Sequence, residues 1–167
     1  LSLALPAGQY AVERRARVSL IGYAGATGAH MHICHFNSSS KTDIERCTAL
    51  IAKAQAQGLP ITVEAYPYGT GSTVLAAAFF SDPEFEARNG LGYDSVQRVT
   101  DGHRFRDRAE LLAAQAEEPS TLVLWHVLDI ENNPHHRDLL DMSVLYPGGA
   151  IASDAMPWTL PDGKAYT

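Results

Sequence analysis

Three histidines, His30, His32 and His35, fall within six consecutive positions and are flanked by apolar residues. Imidazole nitrogen is a preferred ligand of Zn²⁺, so this spacing points to metal chemistry. His30 and His32 share one face of a strand because side chains alternate along it. His35 follows the strand, where it can present a nitrogen to a metal. The alternative is that these are hydrogen-bonded histidines of the core or of a loop.

A carboxylate and two hydroxyl side chains are further candidates. Asp154 ends a short apolar strand, where a carboxylate can bind metal, act as a general base or cap the following turn. Tyr66 and Ser72 can hydrogen-bond an anionic or amide substrate, or can satisfy the backbone of a loop. Each candidate therefore has a functional and a structural interpretation.

Two strands and the helix between them position these groups. The strand over 29–35 is followed by a polar loop and a helix, for which Thr42 is the N-cap and Glu45 completes a capping box. Apolar residues recur at helical spacing until Gly58 ends the helix, and a strand follows over 61–66. Strand, helix and strand form a βαβ unit, whose two strands are parallel neighbours.

The carboxyl edge of this unit is the expected site. Parallel strands end at the same edge of a sheet, which is where α/β proteins place their active sites. We therefore expect His35 and the run Tyr66-Pro67-Tyr68 to lie side by side. A helix over 9–26 precedes the first strand, and a tight loop over 69–73 follows the second.

The stretch 74–147 is less regular, and we expect an insertion or small subdomain there. Its predicted elements are a short helix over 82–88, a helix over 105–117, a strand over 121–128 and a helical turn that opens at Pro134. For His126, His135 and His136, which lie in this stretch, solvated surface is the expected setting. A short strand over 150–154 follows it.

Size and composition are those of an ordinary globular domain. The 167 residues are 46% hydrophobic and 19% charged, and the net charge of -6 argues against nucleic acid or an anionic membrane as a partner. No apolar run approaches the roughly 20 residues that span a bilayer, and residues 1–6 lack the basic region of a signal peptide. Two cysteines, Cys34 and Cys47, indicate reduced thiols and a cytoplasmic protein. The absence of an initiator Met indicates a chain that begins inside a larger one.

A resemblance to a known family rests on three motifs in order. They are His32-Ile33-Cys34-His35, the run Tyr66-Pro67-Tyr68-Gly69-Thr70-Gly71-Ser72-Thr73, and Ser153-Asp154. With the capped helix between the first two, they resemble the N-acyl-D-amino-acid deacylase branch of the amidohydrolase superfamily. The segment 27–35 is most similar to the N-acyl-D-glutamate deacylase subgroup. The resemblance is weakest over 74–147.

This resemblance implies a fold. Members of the family are (β/α)8 barrels with zinc at the carboxyl edge, and a barrel takes about 250 residues. The chain is then an α/β protein that holds the C-terminal part of such a barrel, strands 6–8, with an insertion between the last two strands. The implied segments are 1–73 for the βαβ part, 74–147 for the insertion, and 148–167 for the last strand and the start of the following loop.

The resemblance also implies roles for five residues. His35 binds the metal, and Asp154 both binds the metal and transfers the catalytic proton. Tyr66 and Ser72 contact the substrate, as does Asn37, which stands where relatives often have a substrate-binding lysine. The implied reaction is zinc-dependent hydrolysis of the amide bond of an N-acyl-D-amino acid, foremost N-acyl-D-glutamate. Its products are the D-amino acid and a carboxylate.

Parts of the family's metal site have no counterpart in this sequence. The H-x-H of the first barrel strand, the metal-ligating cysteine and the fifth-strand histidine are missing, so we expect the isolated chain to be inactive. Open strand edges predict self-association into a homo-oligomer. Two alternatives stay open. One is a cyclic-amide amidohydrolase of the dihydroorotase or hydantoinase type, against which the Tyr-Pro-Tyr run speaks, and the other is a non-catalytic α/β module.

Overall fold

The computed structural model describes residues 19–154, 158–159 and 165–166. A helix, α1, covers 19–27, and the earlier part of the predicted helix over 9–26 lies outside the described residues. This helix ends at Gly28, whose backbone has a φ of 68° and whose N–H donates to the carbonyl of Ala24 at 2.8 Å. Glycine suits this position because the left-handed conformation costs it little.

A βαβ unit follows, as the sequence predicts. Its elements are β1 (Met31–Ile33), the short helix α2 (Phe36–Ser40), α3 (Ile44–Ala56) and β2 (Ile61–Ala65). The strands β1 and β2 pair in parallel. The apolar stripe of α3 is buried against the sheet because its members repeat at helical spacing; they are Ile44, Cys47, Ile51 and Ala54.

Three local predictions in this unit are wrong. The strand expected to reach residue 35 ends at Ile33, because His35 adopts a left-handed backbone with a φ of 53° that turns the chain. The loop expected after it is instead the helix α2, which buries Phe36 in the core. The N-cap of α3 is Asp43 rather than Thr42, and the Asp43 side chain makes no capping hydrogen bond; a 3-10 turn shifts the start of the helix.

A third strand completes the parallel sheet. The strand β6 (Ala150–Ile151) pairs in parallel with β2, so the strand order is β1-β2-β6. It is shorter than the predicted 150–154. The helices cover the sheet face that carries Val63 and Ala65, which are buried. The opposite face carries alternate residues such as Thr62 and Glu64, and it is half-open.

Residues between β2 and β6 form a second, antiparallel sheet. Its strands, in the order β3-β5-β4, are β3 (Thr70–Val74), β5 (Leu122–His126) and β4 (Val96–Arg98). Three helices lie in the same stretch of the chain, α4 (Phe85–Asn89), α5 (Arg108–Glu117) and α6 (Pro134–Val144). Of these, α6 packs against α2, α3 and β2 of the βαβ unit. The predicted strand over 121–128 and the predicted helices therefore appear with shifted ends.

The prediction of a tight loop over 69–73 is wrong. This stretch is the strand β3, which pairs along its whole length with β5. Pairing with a partner strand outweighs the turn-like Gly and Ser composition, because β-propensity depends strongly on neighbours. The antiparallel sheet consequently begins at Thr70, before the expected segment boundary at 73/74.

A buried lysine joins the two sheets. The Nζ of Lys41 donates to Asn89 Oδ1 at 2.7 Å and lies 4.6 Å from the ring centroid of Trp125. Trp125 in turn packs on Phe80 and Phe85 of the insertion. Because Lys41 follows α2, this contact fixes the insertion against the βαβ unit.

The strands β7 (Trp158–Thr159) and β8 (Ala165–Tyr166) pair in antiparallel orientation. In the parts of the chain that the structure describes, no helix is both long and apolar enough to cross a membrane.

Candidate active site

The carboxyl edge of the parallel sheet brings His35 and Asp154 together. His35 follows β1 and Asp154 follows β6, and the His35 Nε2 lies 3.0 Å from Asp154 Oδ1. Both have a positive φ, 53° for His35 and 50° for Asp154. Such a conformation is uncommon for residues other than glycine and tends to cluster at functional sites. The backbone on both sides of the contact is thus shaped to aim these two side chains at each other.

Glu64 is the third polar group at this edge, and the sequence analysis assigned it no role. Its Oε1 lies 3.7 Å from His35 Nε2, and its Oε2 lies 3.4 Å from His32 Nε2. The strand pairing explains the position: His32 stands opposite Thr62, and Glu64 is the next residue along β2 on the same face. In the sequence, the alternation of polar and apolar residues in Ile61–Ala65 was the signal that could have placed Glu64 on this face.

A line of hydrogen bonds runs along the same face. His30 Nε2 is 2.9 Å and His32 Nδ1 is 2.7 Å from the Thr62 hydroxyl. His32 then reaches Glu64 with its other nitrogen. The face therefore presents imidazole, hydroxyl and carboxylate groups in one connected row that ends at His35.

Cys34 lies beside this row. One ligand atom from each of His32, Cys34 and Glu64 lies within 4.8 Å of the others. Partial burial, and then the charge of Glu64, raise the pKa of the Cys34 thiol above its ordinary value. The influence of Glu64 on the thiol follows from their proximity on one face of the sheet.

Tyr66 lies beside His35 at the end of β2, as the βαβ topology predicts. Its ring lies 5.9 Å from the His35 ring, and the residue is only 2% exposed. Burial raises the pKa of the Tyr66 phenol; a hydrogen bond with Ser38 opposes this effect and the charge of Asp154 adds to it. The phenol therefore stays protonated at neutral pH and is available as a hydrogen-bond donor. Gly71 makes room for it, since a Cβ there would lie 3.3 Å from the phenol oxygen.

Asn37 has a different setting from the one expected of a substrate contact. It is fully buried, and its Nδ2 donates to the carbonyls of Tyr66 at 2.8 Å and Tyr68 at 3.1 Å. Its Oδ1 accepts the N–H of Tyr66 at 3.4 Å. Both ends of the amide thus hold the loop that presents Tyr66. A direct contact between Asn37 and substrate stays a prediction.

Ser72 lies on the antiparallel sheet rather than in a loop. It is exposed on β3, opposite Leu124 of β5. The structure thus places its hydroxyl on a strand beyond Tyr66 and not in the row that ends at His35. Its contact with substrate also stays a prediction.

A cavity of about 650 Å³ lies between the Tyr68 loop and the insertion. Arg104, His126 and His136 are among its lining residues. The His126 Nε2 lies 2.8 Å from Gln97 Oε1, and burial, together with the charge of Arg104, lowers the pKa of His126. His126 and His136 are therefore partly buried, and the expectation of solvated surface is wrong for both. The chain packs β5 and α6 against the loop after β2, which the sequence did not indicate.

One solved structure gives a detailed comparison. It is N-acyl-D-glutamate deacylase from Bordetella bronchiseptica, in complex with zinc and a phosphonate inhibitor that mimics the tetrahedral intermediate of the reaction. The present fold is similar to part of that enzyme. The TM-score is 0.58 with 18% sequence identity, and the match covers 84% of this chain and 29% of that one. No protein-family model and no curated protein sequence matches the chain.

The residue types at the carboxyl edge are ones that zinc takes. Zinc in proteins binds imidazole nitrogen, thiolate sulfur and carboxylate oxygen. His35, Glu64 and Asp154 offer nitrogen and oxygen donors, and the His35 Nε2 is in direct contact with Asp154 Oδ1 at 3.0 Å and lies 3.7 Å from Glu64 Oε1. Among the described residues, the three side chains whose ligand atoms converge within 4.8 Å are His32, Cys34 and Glu64.

Proposed function

We propose that this chain forms part of the active site of a zinc-dependent hydrolase that cleaves the amide bond of N-acyl-D-amino acids. The preferred substrate is N-acyl-D-glutamate, and the products are the D-amino acid and a carboxylate. The approach of His35 to Asp154, 3.0 Å apart at the carboxyl edge of a parallel sheet, carries the proposal. The similarity to part of an N-acyl-D-glutamate deacylase supports the choice of substrate.

The metal would be held by His35 and Asp154, with Glu64 beside them. When bound, zinc supplies a Lewis acid that polarises the scissile carbonyl and lowers the pKa of water. The His35 backbone conformation and the pairing of β2 with β6 bring these groups to one edge of the sheet.

Asp154 and Tyr66 supply the remaining chemistry. The Asp154 carboxylate accepts a proton from the attacking water and returns it to the leaving amine, as a general base and then a general acid. The phenolic hydroxyl of Tyr66 donates a hydrogen bond to the developing oxyanion of the substrate. Its raised pKa keeps that hydrogen in place at neutral pH. Asn37 positions Tyr66 through the two carbonyl contacts of the loop.

The open face of the parallel sheet supports a larger barrel around this chain. Ala150 of β6, which pairs with Glu64, is exposed, and polar groups such as His32 line the same face. Parallel sheets are ordinarily covered on both faces, so further strands are expected to close this one. The chain spans 29% of its structural neighbour. We propose that the missing ligands come from those strands and that the isolated chain is inactive.

The test is turnover by a polypeptide that joins this sequence to preceding barrel strands. We expect release of D-glutamate from N-acetyl-D-glutamate, and a loss of about 10²- to 10⁴-fold in kcat in Asp154→Asn, since general acid–base catalysis contributes that much. Asp138→Asn, an exposed aspartate of α6, is the matched control and keeps full activity. Near-normal turnover in Asp154→Asn contradicts the proposal. Ring opening of dihydroorotate or hydantoin in its place favours a cyclic-amide hydrolase, and no turnover at all favours a non-catalytic module.

A further inference from the structure

The row of polar groups on the open face contains a second set of metal ligands. We propose that His32, Cys34 and Glu64 bind a thiophilic divalent cation such as Zn²⁺, next to the His35–Asp154 edge. Glu64 then bridges the two positions. This inference goes beyond the hydrolase assignment, because it stands on the contacts of three side chains and does not depend on the substrate.

The chemistry and spacing of the donors suit zinc. Nitrogen, sulfur and oxygen are each found in zinc sites, at metal–ligand distances of about 2.0–2.3 Å, so two ligands of a tetrahedral zinc lie roughly 3.3–3.8 Å apart. The His32 Nε2 to Glu64 Oε2 separation of 3.4 Å falls in this range. The Cys34 sulfur belongs to the same group of atoms within 4.8 Å.

The orientation of His32 is also that of a ligand. Metal-bound histidines ordinarily hydrogen-bond with the nitrogen that does not touch the metal, and this contact fixes the ring. His32 uses Nδ1 for the Thr62 hydroxyl at 2.7 Å and turns Nε2 towards Glu64. His30 is a natural comparison because it contacts the same hydroxyl, at 2.9 Å, but does not belong to the ligand group.

The two oxygens of Glu64 face different imidazoles. Oε2 lies 3.4 Å from His32 Nε2, while Oε1 lies 3.7 Å from His35 Nε2. A carboxylate placed in this way can bridge two cations, and two-metal hydrolytic sites hold their ions about 3.5–4 Å apart. The second cation therefore shares Glu64 with the edge.

The test is a titration of the metal-free 167-residue chain with Co²⁺, which reports thiolate ligation through a sulfur-to-cobalt charge-transfer absorption. We expect this band to appear and to be lost in Cys34→Ser and in His32→Ala. The matched variants Cys47→Ala, whose thiol is buried in α3, and His30→Ala keep it. No band in the wild type, or a band that survives in Cys34→Ser, overturns the proposal. His35→Ala keeps the band, so failure of this site is distinguishable from failure of the hydrolase assignment.

A second readout does not depend on optical spectra or on the folding of the Cys34 variant. Alkylation of Cys34 in the wild-type chain, followed by mass spectrometry, should slow at least tenfold when Zn²⁺ is added. The same addition should leave the alkylation rate unchanged in His32→Ala. Equal alkylation rates with and without Zn²⁺ in the wild type contradict the proposal.

Discussion

The Nε2 of His35 lies 3.0 Å from the Oδ1 of Asp154, although His35 comes early and Asp154 late in the described chain. The middle strand β2 makes this contact possible, because it pairs with β1 on one side and with β6 on the other. All three strands are parallel, so the residues that follow β1 and β6 emerge at one edge. The whole insertion between β2 and β6 is thus accommodated without separating the two groups.

Asn37→Ala should destabilise the chain by about 1–3 kcal/mol, because it leaves buried backbone groups of the Tyr66 loop without a partner. In the structure the Asn37 side chain contacts the carbonyls of Tyr66 and Tyr68. The free energy of unfolding in urea is the measurement. Ser72→Ala, at an exposed strand position, should change it by less than about 0.5 kcal/mol. Equal stability of Asn37→Ala and the wild type contradicts the positioning role of Asn37.

Tyr66→Phe removes one hydroxyl and keeps the ring that packs near His35. If the phenol stabilises the oxyanion, kcat of the joined polypeptide should fall by about 10²- to 10³-fold, the effect of losing one such donor. The zinc content should not change, because Tyr66 is not a proposed ligand. Steady-state kinetics with N-acetyl-D-glutamate measure the effect. An unchanged kcat would show that the Tyr66 hydroxyl does not contribute to catalysis.

The contact between Lys41 and Asn89 should stabilise the junction of the two sheets. Asn89→Leu removes the oxygen that accepts from the buried Lys41 ammonium at 2.7 Å, and a hydrogen bond to a charged group contributes about 1.5–3 kcal/mol. The double variant Lys41→Met/Asn89→Leu should lose less than the sum of the losses of the two single variants, because both of these remove the same hydrogen bond. Denaturant unfolding of the wild type and the three variants measures the difference. Strictly additive losses contradict this explanation.

Glu110 should make stability depend on pH. The backbone N–H of Arg106, and then its side chain, hold the pKa of Glu110 at about 2, well below its ordinary 4.5. A lowered pKa in the folded state means that the stabilisation is complete above pH 4.5 and is lost as the pH falls towards 2. The Tm of Glu110→Gln should therefore lie below that of the wild type at pH 7, and the difference should shrink below pH 4.5.

The control for this prediction is Glu117→Gln, at the end of the same helix α5 and exposed. Its difference in Tm from the wild type at pH 7 should be small. A difference for Glu110→Gln that persists unchanged to pH 3 contradicts the role of the ionised carboxylate.

Local sequence patterns were sufficient for the βαβ unit and insufficient for its details. The apolar repeat through Ile51 and the β-branched run at Val63 predict α3 and β2 because one residue type recurs with the period of each element. The strand β3 was missed because its Gly71 and Ser72 resemble a turn, and only the pairing with β5 makes this stretch a strand. Pairing between distant segments is not encoded in either segment alone.

The candidate site, too, could be predicted only in part from the sequence. His35 and Asp154 were predicted from motifs that resemble a known family, and the structure brings them together. The position of Glu64 depends on the register of β2 against β1, which fixes it next to His32 and cannot be obtained from the spacing of residues in one strand. The burial of Asn37 likewise depends on α2. The three serines that follow Asn37 in this helix predicted a polar loop instead.

Zinc analysis of the 167-residue chain tests the carboxyl-edge site most directly. Elemental analysis after dialysis should show bound zinc in the wild type and one equivalent less in His35→Ala. His135→Ala, an exposed histidine of α6, should match the wild type. A His35→Ala chain that keeps the full wild-type amount contradicts the assignment of His35 as a metal ligand.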